Sequence, residues 1–238
     1  AIALRARFTA GRPPGGDALY WRGPVLGRFD GREWSRHELG SSAFPRRGPT
    51  LEVSGEPLAY EMILEPSRLP MLPLLEATPA REGDAPRPEP QGLRSFLRPD
   101  SQWMTERAVT ERLRVSARAY LTHRQGPLED DASLRDYVDL PAGYNPRTLE
   151  WATALQRQPA LAGATPERYV QAVLDHITRG FSYTLTPGGY GDEEGRHAID
   201  EFWLDRREGF CEHFSAAFVV VMRALDVPAR IVTGYQGA

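Results

Sequence analysis

The chain has 238 residues and a formal net charge of −3 at pH 7, which suits one large or two small domains. The small net charge and the lack of a strongly basic run argue against a nucleic-acid partner. We find no stretch of about 18 uncharged apolar residues and no signal peptide pattern, so no membrane span is predicted within it.

Short strand-like runs, broken by glycine and proline, fill the first half of the chain. Apolar and mostly polar residues alternate in Ile2–Phe8 and Leu113–Leu121, and Leu58–Leu64 is a third candidate strand. Phe29–Trp34 contains Asp30-Gly31, a pair that favours a tight hairpin turn. These patterns predict β-sheet with one face in solvent. The segment Thr78–Gly92, rich in proline, glutamate and arginine, is predicted to be a solvated loop.

The pattern becomes helical from Asn145 onwards. Pro146 and Pro166 occupy first-turn positions, with Asn145 and Thr165 as the predicted caps and Pro166–Arg179 as the second helix. A short strand is predicted to follow at Phe181–Leu185. The residues expected on the inner helix faces are Trp151, Leu155, Val170, Val173, Leu174 and Ile177.

Cys211, the only cysteine in the chain, begins the most apolar predicted helix. Gly209 allows a sharp turn before it, and Asp226 and Pro228 mark its end. One face is shared by Cys211, Phe214, Phe218, Val221, Met222 and Leu225. Small and apolar residues on the remaining surface predict a central, buried helix. A strand is predicted at Ala229–Tyr235.

The position of Cys211 favours covalent catalysis. A sulfur at the first turn of a helix faces unpaired backbone N–H groups and the positive end of the helix dipole, and both stabilise the nucleophilic thiolate. The alternative is a buried cysteine that acts as a small, inert apolar residue. A single cysteine excludes a disulfide within the chain.

Several motifs resemble the transglutaminase-like superfamily. They are Ile199-Asp200-Glu201-Phe202-Trp203-Leu204, Gly209-Phe210-Cys211-Glu212-His213-Phe214 and Gly234-Tyr235-Gln236-Gly237. The second and third are similar to the bacterial branch typified by transglutaminase protein A, whose members are inner-membrane proteins with a periplasmic domain. Residues 165–238 carry most of the resemblance.

The resemblance implies an α+β fold: a β-rich region over residues 1–140, then a papain-like core over 141–238 whose cysteine starts a central buried helix. It implies a cysteine, histidine and aspartate site in which Cys211 is the nucleophile. The family histidine and aspartate lie on later strands, so we expect them beyond Ala238, which leaves the core incomplete at its C-terminus. We also expect a periplasmic location and membrane attachment through segments that this chain lacks.

The expected reaction is acyl transfer from a protein or peptide carboxamide, namely transamidation of protein glutamine. The backbone N–H of Cys211 is the natural oxyanion donor, and Trp203 is a candidate second donor or cleft residue. Hydrolysis of periplasmic or cell-wall peptides by a cysteine protease or amidase is one alternative. A non-catalytic binding or structural module is another.

None of the five histidines is a convincing base from sequence. His213 lies two residues after Cys211 on the helix and is expected to point away from it, at the helix surface or in the cleft. His176 is predicted to flank the core. His197, in the loop ahead of the site, is the one histidine of the chain that could approach Cys211, although a solvated position is favoured for it. The acidic segment Pro187–Gly195 lacks the spacing of a calcium-binding loop, so we expect a cleft-side loop, no metal and no cofactor.

Overall fold

The computed structural model describes residues 2–10, 13–38, 50–80, 88–126, 131–191 and 197–237. It divides into two compact units that alternate along the sequence. The first unit comprises Ala1–Val25, Phe44–Asp131 and Val232–Ala238, and the second comprises Leu26–Ala43 and Ala132–Ile231. The first is rich in strands and the second in helices, which confirms the α+β class. The division into domains 1–140 and 141–238 stays a prediction.

The strands are numbered in chain order. They are β1 Leu4–Ala10, β2 Tyr20–Leu26, β3 Arg28–Phe29, β4 Trp34–Ser35, β5 Thr50–Ser54, β6 Leu58–Leu64, β7 Met71–Leu72, β8 Leu74–Leu75, β9 Glu89–Pro90, β10 Ser95–Leu97, β11 Trp103–Thr105, β12 Leu113–Ala119, β13 Thr122–Gly126, β14 Ser182–Tyr183, β15 Glu208–Gly209 and β16 Ile231–Gln236.

The helices are α1 Pro146–Gln156, α2 Pro166–Gly180, α3 Ala198–Asp200 and α4 Cys211–Ala224. A π-helical segment, Glu201–Arg206, continues directly from α3. Short 3-10 helices span Gly16–Ala18 and Ala132–Tyr137.

The main sheet of the first unit has the strand order β1-β6-β12-β9. The described strands confirm the three alternating runs, and β6 has the predicted bounds. Alternate residues of β12 are buried, from Leu113 to Ala119, while Arg114, Ser116 and Arg118 between them are exposed. One wet face is therefore confirmed. The core of this unit includes Trp21, Tyr60, Met62, Leu72, Trp103, Val109 and Val115.

The predicted solvated loop Thr78–Gly92 is confirmed at Gln91 and Gly92, which form an exposed turn, and is wrong at Thr78 and at β9; residues 81–87 lie outside the described residues. Thr78 is buried, because its hydroxyl donates to the Leu75 carbonyl and its own carbonyl accepts from the Trp103 indole. Further on, β9 pairs with β12, placing Pro90 opposite Val115. Composition missed these two contacts because both partners are distant in sequence.

The predicted strand Ala229–Tyr235 is confirmed as β16, which lies beside β2 in a sheet of order β16-β2-β8. The hydroxyl of Thr233 donates to the Pro24 carbonyl at 2.9 Å. A Cβ at Gly234 would lie 2.4 Å from the Trp21 carbonyl oxygen, so only glycine permits this close approach.

In the second unit, the Asp30-Gly31 hairpin is confirmed. Phe29 pairs with Trp34, and the Asp30 carboxylate accepts the N–H groups of Arg32 and Glu33 at 2.8 Å each. The unit's core combines both hairpin rings with the inner faces of the helices. Its most enclosed members are Ala152, Val173, Phe202, Trp203, Ala217, Val220, Val221 and Met222.

Helix α1 is capped differently from the prediction. Asn145 stands at the cap position in a left-handed conformation, but its side chain makes no cap hydrogen bond. The buried Asp200 carboxylate accepts the N–H groups of Arg147 and Thr148 at 3.1 and 2.7 Å instead. Thr165 likewise makes no side-chain cap hydrogen bond to the backbone of α2. The prediction that Leu174 lies on the inner face of its helix is wrong, because its side chain is exposed.

Candidate active site

Helix α4 confirms the predicted placement of Cys211 at a helix N-terminus. Phe210, in extended conformation, is the cap residue, and the first intrahelical bond runs from Phe214 N to the Phe210 carbonyl at 3.3 Å. The N–H groups of Cys211, Glu212 and His213 therefore precede the helical ladder. The Cys211 side chain is exposed, whereas the helix is deeply buried from Ala217 onwards. An exposed thiol at this point argues against the inert core cysteine.

A two-stranded parallel sheet positions the turn before Cys211. Strand β14 confirms the predicted short strand in part, and it pairs with β15 so that Tyr183 lies opposite Gly209. The Thr184 N–H donates to the Gly209 carbonyl at 2.8 Å. The Tyr183 ring stacks on Phe214, one turn into α4, with ring centroids 6.1 Å apart. Tyr183 is still 64% exposed, so it lines the surface beside Cys211.

Gly209 is required for close packing. A Cβ there would lie 3.0 Å from both Cβ and Cγ of His213. Its backbone is not in the left-handed region that only glycine adopts easily. The glycine ahead of the cysteine therefore makes room for the His213 ring, in addition to any turn it allows.

His213 is half-buried and lies in an aromatic pocket on the non-solvent side of the turn. Its ring centroid is 4.5 Å from Phe210, 4.9 Å from Tyr190 and 5.7 Å from Phe202. Its Nδ1 accepts the Phe210 N–H at 3.4 Å. Burial, together with the positive charge of Arg206, holds the pKa of His213 below its ordinary value of 6.5. A neutral ring is what this hydrogen bond requires.

Tyr190 and Arg206 support the same turn. The Tyr190 hydroxyl donates to the Glu208 carbonyl. The Arg206 guanidinium lies 4.1 Å from the Tyr190 ring centroid and donates to the Gly189 carbonyl at 2.7 Å. Residues 192–196, the acidic part of the predicted cleft-side loop, lie outside the described residues. Among the residues that are described, no group of three or more potential metal ligands converges.

The other histidines with proposed positions lie elsewhere in the unit. His176 packs against Trp151, Phe181 and Trp203, with centroid distances of 4.7, 5.5 and 5.3 Å, so it flanks the core as predicted. His197 precedes α3 and its ring contacts Tyr144. No histidine among the described residues forms a hydrogen bond with the Cys211 thiol.

Trp203 is fully buried, and its indole N–H has no hydrogen-bond partner among the described residues. It packs edge-on against Trp151 at 5.1 Å and also contacts Phe181. The role of Trp203 as an oxyanion donor or cleft residue stays a prediction.

The sequence reasoning missed the supporting groups of the site. His213 was predicted to point away from Cys211, at the helix surface or in the cleft, and its hydrogen bond to the helix cap was not predicted, although a residue three positions after the helix cap can accept the cap N–H. That spacing was the available signal. Tyr190 and Arg206 gave none, because their contacts with the turn depend on the path of the chain between residues 180 and 207.

Comparison with known proteins agrees with this geometry. Residues 1–126 match the model of the TgpA N-terminal domain, and residues 153–238 match that of the transglutaminase-like superfamily. The chain belongs to the TgpA family. The predicted family and the transglutaminase-like core are therefore confirmed.

Two crystal structures of the periplasmic domain of TgpA from Pseudomonas aeruginosa match the fold, one of them bound to ethylmercury. They superpose with TM-scores of 0.80 and 0.79 at 30% and 29% sequence identity. Each match covers 99% of this chain and about three quarters of the solved chain, 76% and 75%. The periplasmic location implied by the sequence is thereby confirmed.

Two curated relatives also match. A protein-glutamine gamma-glutamyltransferase from Pseudomonas aeruginosa is 32% identical over 99% of this chain. An uncharacterized protein, YebA, from Bacillus subtilis is 34% identical over 28% of it. The chain spans 32% of the length of the first relative and 9% of the second. None of the described helices combines the length and apolar character that a membrane crossing requires.

Proposed function

We propose that Cys211 is the nucleophile of an acyl transfer from the side-chain carboxamide of a protein-bound glutamine. The observation that carries the proposal is the exposed thiol at the N-terminus of a helix whose later turns are mostly buried. The family supports the same reaction, since a relative that matches nearly the whole chain is named a protein-glutamine gamma-glutamyltransferase.

In the proposed reaction the Cys211 thiolate attacks the carboxamide carbon and forms a carbon–sulfur bond. The electron pair of the carbonyl moves to oxygen, and the Cys211 backbone N–H stabilises that oxyanion. The oxyanion re-forms the carbonyl as the carbon–nitrogen bond breaks, and the nitrogen takes a proton from the protonated base proposed below and leaves as ammonia, which gives a thioester. A primary amine attacks the thioester, gives up one proton to the same base, forms the new amide and releases the thiolate.

A base and its orienting partner must act on this thiol. Because no described histidine bonds to Cys211, we propose that the histidine and aspartate come from protein outside these 238 residues, as the family resemblance implies. We also propose that segments outside this chain attach the protein to the inner membrane. The relative that is about three times longer supports both proposals.

The test is incorporation of a fluorescent primary amine into a glutamine-bearing protein by the full-length protein, with and without Cys211→Ala. We expect incorporation by the wild type and none by the variant. Thr178→Ala is the matched control, because it also removes a polar γ atom from a helix of the same unit, where the exposed threonine hydroxyl donates to the Leu174 carbonyl of α2. It should retain activity. Activity that survives in Cys211→Ala would overturn the proposal.

Mass spectrometry of the acceptor protein distinguishes the remaining alternatives. Conversion of glutamine to glutamate in excess amine, without amine incorporation, would make the protein an amidase. Cleavage of the peptide backbone would make it a protease. No reaction, with Cys211 unreactive towards alkylating agents, would favour a binding or structural module.

A further inference from the structure

The geometry points to His213 as a positioning residue for Cys211, acting through the hydrogen bond that its Nδ1 accepts from the Phe210 N–H. This inference rests on the proposed function, since it assigns His213 a part in preparing the nucleophile. It gives the histidine of Cys-Glu-His a role other than that of a base.

The start of α4 lacks one half of the usual N-terminal capping exchange. In a full capping box, the cap residue and the third helical residue each accept the other's backbone N–H. Phe210 has no acceptor in its side chain, so only one half of the exchange is present, the one that His213 provides at 3.4 Å. Loss of that acceptor leaves the Phe210 N–H without its partner in a half-buried position.

Neighbouring residues hold the ring of His213 in position. The imidazole packs against Gly209, which has no side chain, and contacts the rings of Tyr190 and Phe202. The Arg206 guanidinium lies over the Tyr190 ring. These contacts orient the imidazole so that its Nδ1 accepts the Phe210 N–H.

The cap and the thiol are joined by a short backbone segment whose residues are hydrogen-bonded at each position. Tyr190 bonds to the Glu208 carbonyl, Thr184 to the Gly209 carbonyl and His213 to the Phe210 N–H. Cys211 is the next residue, and its exposed side chain has no hydrogen-bond partner among the described residues. The backbone at Phe210 therefore sets where the Cys211 Cβ lies, and with it the rotamers through which the sulfur can approach the first-turn N–H groups.

Two substitutions separate the acceptor from the ring. His213→Asn keeps an acceptor oxygen at the position of Nδ1 but removes the ring, whereas His213→Phe keeps an aromatic ring and removes the acceptor. The readout is the rate at which iodoacetamide labels Cys211 in the full-length protein at neutral pH. Labelling is followed on the tryptic peptide Glu208–Arg223, which contains only this cysteine. Thermal unfolding is measured on the same samples.

We expect His213→Phe to label about five-fold more slowly than the wild type, in line with the loss of one cap hydrogen bond. His213→Asn should label at close to the wild-type rate, even where it lowers the thermal midpoint more. Tyr190→Phe, which keeps the ring and removes the bond to the Glu208 carbonyl, should also slow labelling and serves as the second variant if His213→Phe does not fold.

Equal slowing by the phenylalanine and asparagine variants would overturn the inference, because ring packing and not the acceptor would then control the thiol. Wild-type labelling rates in both His213→Phe and Tyr190→Phe would also overturn it. Labelling does not need transamidation, so a full-length protein that lacks activity but shows the expected labelling pattern would contradict the proposed function and leave this inference standing.

Discussion

The two ends of helix α4 differ in how far their side chains are exposed to solvent. At its N-terminus the side chains of Cys211 and Glu212 are exposed, and the surrounding bonds hold backbone rather than Cys211 itself. Near its C-terminus Val219, Val220, Val221 and Met222 are almost completely enclosed. The comparison indicates that the buried end anchors the helix so that the exposed end can present a reactive group.

At the buried end, the side chain of Arg223 forms several hydrogen bonds. Its guanidinium donates to the carbonyls of Gly27, Asp139 and Ala229 at 2.6 to 3.0 Å, and it lies 5.0 Å from the Trp34 ring centroid. Burial lowers the pKa of Arg223 to about 10, which still leaves it charged at neutral pH. One buried cation thus joins the β3–β4 hairpin, the segment before α1 and the loop after α4.

The largest effect should come from the exposed end. Cys211→Ala is expected to lower the rate of acyl transfer by at least about 10⁴-fold, as loss of a covalent nucleophile does in other enzymes. The free energy of unfolding should change by no more than about 0.5 kcal/mol, because the thiol is exposed and makes no hydrogen bond to a described residue. Amine incorporation and urea unfolding measure the two quantities. A large loss of stability would instead make Cys211 a packing residue.

The largest effect on stability should come from the opposite end. Arg223→Ala removes the buried guanidinium that donates to the carbonyls of Gly27, Asp139 and Ala229, and is expected to reduce the free energy of unfolding by about 3 kcal/mol. Urea unfolding checks it, with Arg168→Ala as control, since exposed Arg168 donates to a single carbonyl, that of Ala160. Similar losses in the two variants would contradict the part assigned to Arg223.

A smaller effect is expected at the contact between the two strands and the start of α4. Gly209→Ala places a Cβ 3.0 Å from the His213 ring, so the ring must shift. We expect a loss of about 1–2 kcal/mol in the free energy of unfolding, together with slower labelling of Cys211. Gly180→Ala is the control, because the nearest atom to its Cβ would be an Arg207 side-chain nitrogen at 3.8 Å. An unchanged labelling rate in Gly209→Ala would show that the position of the His213 ring does not affect the reactivity of Cys211.

The smallest effect concerns pH. Burial lowers the pKa of His176 and of His213 below the 6.5 expected in the unfolded chain. Each therefore binds a proton more readily when unfolded, so both contribute stability above about pH 6.5 that is lost as the pH falls through the lower folded-state pKa. The urea midpoint should drop between pH about 7.5 and about 5, and His176→Phe should make that drop smaller. An equal drop of the urea midpoint in the wild type and in His176→Phe would show that His176 does not contribute to the pH dependence of stability.

Local patterns predicted most of the elements. Alternation identified β1 and β12, Leu58–Leu64 was a further candidate strand that proved to be β6, and the predicted end of α4 at Asp226 lies two residues beyond the observed end at Ala224. Such patterns report on neighbours in sequence, so they succeed where one face of an element is buried.

Contacts between residues that are distant in sequence could not be predicted from local patterns. Asp200 caps α1 from more than fifty positions away, and Arg223 bonds the carbonyl of Gly27 across 196 positions. For the site, the sequence located Cys211 but not Tyr190 or Arg206, whose contacts depend on how the chain returns to the turn. Leu174 was misplaced because helical period alone did not show where the packed stripe of α2 ends.

The most direct test of the central claim is to trap the thioester. The full-length protein is mixed with a glutamine-bearing peptide without an amine, quenched in acid, digested and examined by mass spectrometry. We predict an adduct on peptide Glu208–Arg223 with the mass of the substrate peptide minus one ammonia, removable by hydroxylamine and absent in Cys211→Ala. An adduct on another residue, or amine incorporation that continues without Cys211, would contradict the account.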